Sequence, residues 1–172
     1  MTRIIAGYLG SLRLKAAAKA TRPTSDRVKE SVFAKLDATG AIEGSKVLDL
    51  FAGTGALGIE AISRGASPAT FVESNRSAFQ ILSSNVELAK RGLESQGIPS
   101  ELELKTVTAE QFLKTSPGGF DLIFVDPPYE VTDDQIFELL EELKGILAND
   151  GLVVLERSNK AQIKVPKEFS IS

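Results

Sequence analysis

The sequence predicts an α/β fold of the Rossmann-like type, in which a mostly parallel sheet is covered by helices on both faces. From residue 46 onwards, short apolar runs alternate with segments whose apolar residues recur at helical spacing. The apolar runs are nearly continuous, which is typical of strands buried on both faces. A glycine-rich turn follows the first run, and two consecutive prolines follow the fourth.

The first forty residues are predicted to form a small hairpin and a helix ahead of this sheet. Residues 3–8 and 12–14 alternate weakly around two glycines, as a short hairpin does, and a loop follows to residue 20. Residues 21–24 are predicted to be extended, because a residue before proline is disfavoured in a helix. A helix is expected over 25–36, with three alternative N-caps: Thr24, Ser25 and Asp26.

The core, residues 41–172, is predicted to contain five strands that alternate with helices. The strands are expected at 47–51, 70–72, 102–107, 121–125 and 152–155. The helices are expected from the glycine turn to residue 64, with Gly65 just beyond its end, and at 76–89, 109–113 and 133–147. Residues 91–100 are predicted to be a polar connection. Residues 169–172 resemble the start of a sixth strand, so the chain is expected to stop early for this architecture.

Composition excludes several kinds of chemistry. The chain has no cysteine and no histidine, so it can form no disulfide, thiolate nucleophile, His general base or Cys/His metal site. Chemistry must therefore use carboxylates, hydroxyls, backbone groups, Lys, Arg or a bound cofactor, and we expect no metal. No apolar run is long enough to cross a bilayer, and the basic N-terminus lacks the apolar segment of a signal peptide. We expect a cytoplasmic monomer with no membrane partner.

Charge is distributed unevenly along the chain. Residues 1–35 carry a net charge of +6 and the remainder −9, within a total of −3. A basic arm on an acidic body indicates a polyanionic partner, although a solvated surface segment is the alternative. The eight cations of the arm are Arg3, Arg13, Lys15, Lys19, Arg22, Arg27, Lys29 and Lys35.

The turn Asp126-Pro127-Pro128-Tyr129 directly follows the predicted fourth strand. Two prolines cannot extend a sheet ladder, so the strand must end there. The turn places a carboxylate, a rigid backbone and an aromatic ring at the carboxyl end of a strand, which is the edge where open α/β sheets bind ligands.

The glycine turn after the first strand indicates a nucleotide-like ligand. Gly53, Gly55 and Gly58 follow the G-x-G-x-x-G spacing, which lets a backbone approach a ligand at a helix N-terminus. Glu73 ends the second strand, where a carboxylate can accept hydrogen bonds from both ribose hydroxyls. An adenosine-containing ligand is therefore expected, with Phe51, Ala52 and Thr54 also lining the turn.

NAD and S-adenosylmethionine both suit this arrangement, and two features favour the second. Asp49 ends the first strand, where it would repel a pyrophosphate but attract an ammonium or sulfonium group; its alternative role is to bind the turn through a buried hydrogen bond. The Asp126 turn supplies reactive groups, whereas no hydride-transfer site is apparent. The adenine is expected near Thr108 and Ala109, where a main-chain N–H can reach a ring nitrogen.

Taken together, these motifs resemble a known family. The segments Asp49-Leu50-Phe51-Ala52-Gly53-Thr54-Gly55 and Asp126-Pro127-Pro128-Tyr129 are similar to those of amino-group methyltransferases that use S-adenosylmethionine. Three N-terminal motifs narrow the resemblance to the RsmD-type bacterial 16S rRNA guanine-N2 methyltransferases, and it covers almost the whole chain. They are Arg3-Ile4-Ile5-Ala6-Gly7, Thr21-Arg22-Pro23-Thr24 and Asp26-Arg27-Val28-Lys29-Glu30.

The resemblance implies a class I methyltransferase fold of seven strands, and the chain is expected to lack most of the last two. It also implies a 16S rRNA or small-subunit substrate. A base amine is a poor nucleophile, so we expect Asp126 and the Pro127 carbonyl to accept its two N–H groups and orient its lone pair. Tyr129 is expected to stack on the splayed-out base, next to Pro128. Arg3, Arg13, Lys15 and Arg22 are the cations expected to bind RNA.

Three other functions fit parts of the sequence. A DNA adenine-N6 methyltransferase could use the same Asp-Pro-Pro-Tyr turn, but the chain has no room for a DNA target-recognition domain. A non-catalytic RNA-binding or assembly protein would use the basic arm and leave both turns unexplained. A nicotinamide oxidoreductase would use the glycine turn alone.

Overall fold

The structure, a computed structural model, describes residues 2–16, 26–158, 161 and 164–170. At the N-terminus, β1 (Thr2–Arg3) pairs antiparallel with β2 (Arg13–Leu14), and α1 spans Asp26–Ala38. The predicted hairpin and helix are confirmed, with α1 ending two residues later than expected. The predicted extended segment 21–24 and two of the three N-cap candidates, Thr24 and Ser25, lie outside the described residues.

The core alternates strands and helices as predicted. Its elements are β3 (Val47–Asp49), α2 (Ala56–Ser63), β4 (Ala69–Val72), α3 (Arg76–Glu94), β5 (Leu102–Lys105), α4 (Ala109–Thr115), β6 (Phe120–Val125), α5 (Asp133–Leu143) and β7 (Leu147–Leu155). The five strands form one parallel sheet in the order β5-β4-β3-β6-β7. None of the helices in the described part of the chain is long and apolar enough to span a bilayer.

This strand order creates a switch point between β3 and β6. The chain builds outwards from β3 to β5, then returns and builds outwards in the other direction through β6 and β7. In doubly wound sheets the connections on the two sides of such a switch point diverge, and ligands bind at the carboxyl ends of its strands, which here are β3 and β6.

Helices cover both faces of the sheet because alternate strand residues face opposite sides. The first face carries Val47, Phe71 and Phe124, which pack with α1, α2, α3 and the hairpin. The second face carries Leu48 and Ile123, which pack with α4 and α5. In β3 this alternation directs the side chain of Asp49 towards the first face, where α2 begins.

The N-terminal hairpin is attached to α2 by a buried acid. Glu60, in the middle of this otherwise apolar helix, accepts hydrogen bonds from the backbone N–H groups of Ile5 (2.7 Å) and Ala6 (3.1 Å). Lys29 and Arg64 lie beside its carboxylate at 3.6 and 2.8 Å. A buried carboxylate is stable only when charges and hydrogen bonds satisfy it, as these do. The predicted division of the chain into an N-terminal extension, residues 1–40, and a core, residues 41–172, stays a prediction.

Three helix and strand boundaries differ from the sequence prediction by four residues or more. α3 continues five residues beyond Ala89, because Leu93 is fully buried and Gly92 lies against Leu9 of the hairpin. α5 ends at Leu143, four residues early, and β7 begins at Leu147 after a short turn. β7 therefore includes a register irregularity opposite residues 120–122 before it reaches the predicted strand 152–155.

The described residues after β7 form no further strand. Residues 167–168 form a turn, and Phe169 packs against the second face of the core. The predicted strand start at 169–172 is therefore wrong for residues 169 and 170, whereas the last two residues lie outside the described part. The apolar character of Phe169 reflects packing against the core.

Candidate active site

Acidic side chains follow neighbouring strands at the switch-point edge of the sheet. Phe71, Asp49, Phe124 and Val154 are register partners in a row across four strands. Two residues after Phe71, Phe124 and Val154 come three further acids, Glu73, Asp126 and Glu156. Because the side-chain period of a strand is two, these acids project towards the same face as Asp49. The edge therefore gathers four carboxylates.

Asp49 is the most buried of these acids, with 2% of its surface exposed. Its Oδ2 accepts a hydrogen bond from the Gly58 N–H at 2.9 Å. Burial, together with the charges of Asp126 and Glu73, raises the pKa of Asp49 to about 7, although the Gly58 bond acts in the opposite direction. A positive ligand group beside Asp49 would relieve this cost. The Gly58 contact also matches the alternative role expected of Asp49, a buried hydrogen-bond partner of the turn.

Glu73 is held in a fixed orientation beside the glycine turn. Its Oε2 accepts from the Gly53 N–H at 2.9 Å, and its Oε1 accepts from the Asn75 N–H at 2.7 Å. Each carboxylate oxygen has a second lone-pair direction, so both can still accept from a diol. Glu73 is thus positioned to bind vicinal hydroxyl groups next to the turn.

The glycine turn leaves space on its ligand-facing side. Gly53 and Gly55 have φ angles of +54° and +82°, which other residues rarely adopt, and Gly55 is the N-cap of α2. A Cβ on Gly53 would meet no atom closer than the Phe51 carbonyl oxygen, at 4.0 Å. At Gly58, by contrast, a Cβ would lie 2.4 Å from the ring of Phe71. The first two glycines therefore shape the turn, and the third permits helix–strand packing.

The other predicted cofactor residues have clear structural positions. Ala52 is buried and donates its N–H to Val72 at 2.9 Å, and Phe51 packs towards the second face. The Thr54 carbonyl accepts from the side chain of Asn85 at 2.8 Å. Thr108 is the N-cap of α4 and accepts from the Gln111 N–H at 3.2 Å. Thus the Thr108 hydroxyl already caps the helix, and a ligand contact here falls to the Ala109 N–H in the first turn.

The Asp-Pro-Pro-Tyr turn combines a half-buried acid with an exposed ring. Asp126 is half-buried and Pro127 is buried, whereas Pro128 is exposed and Tyr129 has 66% of its surface accessible. Burial, with a smaller effect of the charge of Glu156, raises the pKa of Asp126 to about 6. An acid with this pKa is ionised at neutral pH and readily accepts hydrogen bonds.

The predicted RNA-binding cations do not all lie at this edge. The backbone of Lys15 is hydrogen-bonded to Asn85, which also contacts Thr54 in the glycine turn. Arg3 and Arg13 are register partners on the hairpin, which docks against the middle and the end of α2. Arg22, together with Lys19, lies outside the described residues.

Sequence reasoning missed three residues around the site. Asn85 is a buried amide in the apolar stripe of α3, and that interruption was a signal that could have been used. Glu156 directly follows a predicted strand, as Glu73 does. Arg157 donates to the Val131 carbonyl at 2.8 Å and to Asp133 at 2.9 Å, so it holds the loop that follows Tyr129. This last contact had no sequence signal.

Among the described residues, no three acidic side chains are grouped so that they could hold a metal ion. The four carboxylates instead lie along the strand ends, and two of them are engaged by backbone N–H groups. A cationic organic ligand and a base amine, which donate hydrogen bonds, suit this arrangement of acceptors.

Comparison with known proteins gives the same family as the motifs. The family model described as "Conserved hypothetical protein 95" matches residues 2–172. YlbH of Bacillus subtilis is 36% identical over 163 residues, which are 94% of this chain and 85% of that protein. The "Ribosomal RNA small subunit methyltransferase D" of Buchnera aphidicola subsp. Acyrthosiphon pisum is 36% identical over 151 residues, 87% of this chain and 74% of that protein.

A solved structure extends the similarity to three dimensions. The structure of yhhF from Escherichia coli superposes with a TM-score of 0.78 at 32% identity, covering 98% of this chain and 87% of that one. The parallel sheet with helices on both faces is the Rossmann-like class I methyltransferase fold that the sequence predicted. The chain belongs to the RsmD-type family, the group that includes the ribosomal RNA small subunit methyltransferases D.

Proposed function

We propose that the protein is a cytoplasmic methyltransferase that moves the methyl group of S-adenosylmethionine to the exocyclic N2 amine of a guanine in 16S rRNA. One observation carries the proposal: Asp126, in the Asp-Pro-Pro-Tyr turn, lies at the switch point close enough to Asp49 to raise its pKa. An acid suited to orient an amine thus adjoins an acid suited to bind a cation.

The residues at the edge of β3 and β4 fit S-adenosylmethionine. Glu73 offers two oriented oxygens to the ribose hydroxyls, and the open side of Gly53 admits close backbone approach. Asp49, buried and short of positive charge, suits the ammonium or sulfonium of the methionine part. The first-turn N–H of Ala109 serves the adenine ring.

Asp126 and Pro127 prepare the amine for attack. The Asp126 carboxylate and the Pro127 carbonyl accept the two N–H groups, so the nitrogen becomes pyramidal and its lone pair points away from both. When bound, S-adenosylmethionine would supply an electrophilic methyl group on its sulfonium, and transfer of that group to the nitrogen would leave S-adenosylhomocysteine. Asp126 stabilises the positive charge that develops on nitrogen until the nitrogen releases one proton to solvent.

Tyr129 and Pro128 are exposed and therefore available to the base. A base can stack on the Tyr129 ring only after it leaves its own helix or loop, which favours a single-stranded or splayed-out nucleotide. The names of the relatives point to ribosomal RNA of the small subunit, and the basic arm offers charge to its phosphates. We propose naked 16S rRNA or a small-subunit particle as the partner.

The decisive experiment measures transfer of labelled methyl from S-adenosylmethionine to 16S rRNA, small-subunit particles and duplex DNA. Nucleoside analysis of the product then identifies the modified base, and fragment mapping locates it. We expect N2-methylguanosine from RNA or particles and no label in DNA. N6-methyladenine in DNA would instead support the DNA methyltransferase, and no transfer to any of the three would contradict the proposal.

Variants test the two roles in the turn. Asp126→Asn should keep S-adenosylhomocysteine affinity, measured by calorimetry, and lose about 10²–10³ in rate, as typically follows loss of one transition-state contact. Asp134→Asn removes an exposed acid from α5 and serves as the matched control. Tyr129→Phe should keep most activity if the ring acts by stacking, whereas Tyr129→Ala should raise the RNA concentration required.

A further inference from the structure

Glu156 lies next to Asp126 on the side away from the glycine turn. The Glu156 N–H donates to the Val125 carbonyl at 2.9 Å, which continues the ladder between β6 and β7 by one residue. Val125 and Leu155 are the last register partners, and Asp126 and Glu156 directly follow them at the ends of the two strands. Neighbouring strands lie about 4.8 Å apart, which places the two acids within reach of one small planar group.

The two acids also face the same side of the sheet. Phe124 and Val154 are register partners that pack with the first-face core, and Asp126 and Glu156 follow each of them by two residues. The charge of Glu156 raises the pKa of Asp126, which is consistent with this proximity. The glycine turn and Glu73 lie on the other side of Asp126, across β3 and β4. Glu156 is therefore on the substrate side of the site.

The hydrogen-bonding edge of guanine matches this pair of acceptors. Next to its N2 amine, guanine carries a ring N1–H, so three donor hydrogens lie side by side. Asp126 and the Pro127 carbonyl account for the two amine hydrogens in the proposed function, which leaves the N1–H. Adenine differs at this place, since the ring nitrogen beside its N6 amine is an acceptor without hydrogen, and a carboxylate would repel it.

We propose that the Glu156 carboxylate accepts the N1–H of the target guanine and thereby selects guanine over adenine at this site. The proposal rests on the proposed function and assigns a specificity residue to it. A site built to hydrogen-bond one donor strongly rejects an analogue that lacks the donor. Here the carboxylate would instead face the unprotonated ring nitrogen of adenine, and two acceptors repel each other. The Asp-Pro-Pro-Tyr turn, which serves any amine, would not achieve this selection alone.

The test replaces the single guanine located in the mapping experiment by two analogues. 2-Aminopurine keeps the N2 amine but has an unprotonated N1, and hypoxanthine (in inosine) keeps the N1–H but lacks the amine. kcat/KM for guanine and 2-aminopurine RNAs, or the corresponding particles, is measured for wild type, Glu156→Gln and Glu130→Gln. Glu130 is an exposed acid of the same edge, so its variant controls for loss of one negative charge.

We expect wild type to prefer guanine over 2-aminopurine by about 100-fold or more. Glu156→Gln should narrow this ratio at least tenfold, because the glutamine amide can donate to the unprotonated N1, whereas Glu130→Gln should leave the ratio within about twofold. A ratio in Glu156→Gln equal to that of wild type would overturn the proposal. Loss of rate on both RNAs alike would also overturn it, since it would show a general positioning role.

A binding measurement on the wild type covers the case in which Glu156→Gln does not fold. Inosine RNA should compete nearly as well as guanine RNA, and 2-aminopurine RNA should compete about tenfold or more less well. Equal competition by the inosine and 2-aminopurine RNAs would overturn the proposal, even if the wild type still transferred methyl to guanine. Failure of the proposed function is separate, because wild type would then transfer no methyl to guanine in any substrate.

Discussion

The side-chain amide of Asn85 and the backbone of Lys15 exchange two hydrogen bonds. The Lys15 N–H donates to Oδ1 at 2.8 Å, and Nδ2 donates to the Lys15 carbonyl at 3.1 Å. The same Nδ2 donates to the Thr54 carbonyl at 2.8 Å. One buried residue of α3 therefore links the basic arm to the glycine turn, so the positions of the two are coupled.

Asn85→Ala should destabilise the protein and loosen both attached segments. The change leaves three backbone groups without their partner, and we expect the free energy of unfolding to fall by about 2–4 kcal/mol. S-adenosylhomocysteine affinity should fall as well, because the turn loses a support. Denaturant unfolding and calorimetry measure the two effects, and Gln80→Ala, on the exposed side of the same helix, is the control. Unchanged stability and affinity would show that the link does not matter.

Gly53 and Gly40 form a matched pair for testing the cofactor site. Their φ angles are +54° and +69°, and neither has a neighbouring atom closer than 4.0 Å to a built Cβ. Replacement by Ala should therefore cost similar strain, on the order of 1 kcal/mol, at both positions. Only Gly53→Ala should also lose S-adenosylhomocysteine binding, measured by calorimetry. Equal affinity in the two variants would place the ligand away from this turn.

The pattern of the fold was predictable because most of its boundaries have local causes. Gly65, with φ of +101°, does follow the end of α2, and the prolines do end β6. The five extra residues of α3 were not predictable, since they depend on a contact between Gly92 and Leu9, which are distant in sequence. No local pattern reports a contact of that kind.

The site was predictable to the same extent. Asp49, Glu73 and Asp126 could be selected as candidates because each lies at the carboxyl end of an apolar strand. Glu156 has the same position after β7, but no turn motif marks it. The buried pair of Lys29 and Glu60 has no local signal at all, because the two are 31 residues apart and meet only after α1 packs beside α2.

Asp49→Asn should make the protein more stable than wild type as the pH rises. The pKa of Asp49 is raised from 3.8 to about 7, so the folded state holds this proton more tightly than the unfolded state does. The contribution of Asp49 to stability is therefore greatest below pH 4, falls as the pH rises towards 7, and is constant above that. Asparagine removes this loss, so the difference in Tm should grow between pH 4 and 7.

The pKa shift of Asp49 sets an upper limit on the stability difference between Asp49→Asn and wild type. One pKa unit corresponds to about 1.4 kcal/mol, so we expect a gain of up to a few kcal/mol in the free energy of unfolding. Thermal unfolding of both proteins across pH 4–8 measures it, and Asp134→Asn controls for loss of one negative charge at an exposed position. The variant should also bind S-adenosylhomocysteine poorly. A constant Tm difference across this range would contradict the proposed burial cost.

The basic arm should contribute salt-dependent RNA affinity. Neutralising a phosphate releases counterions, so the logarithm of the affinity falls linearly with the logarithm of salt, with a slope of about −0.7 for each single-strand phosphate contacted. Arg13 and Lys15 are exposed cations on and just after the hairpin, and the backbone of Lys15 is bonded to Asn85. Arg13→Gln and Lys15→Gln should each flatten the slope by about 0.7 and leave S-adenosylhomocysteine affinity unchanged.

Position separates this effect from simple charge removal. Lys114 is an exposed cation at the end of α4, which packs on the opposite face of the sheet, so Lys114→Gln should leave the slope unaltered. Lys15 is closer to the glycine turn than Arg13 through its link to Asn85, and Lys15→Gln should therefore also raise the KM for RNA. Equal slopes in wild type and all three variants would show that the positive charge of the N-terminus is a solvated surface that RNA does not contact.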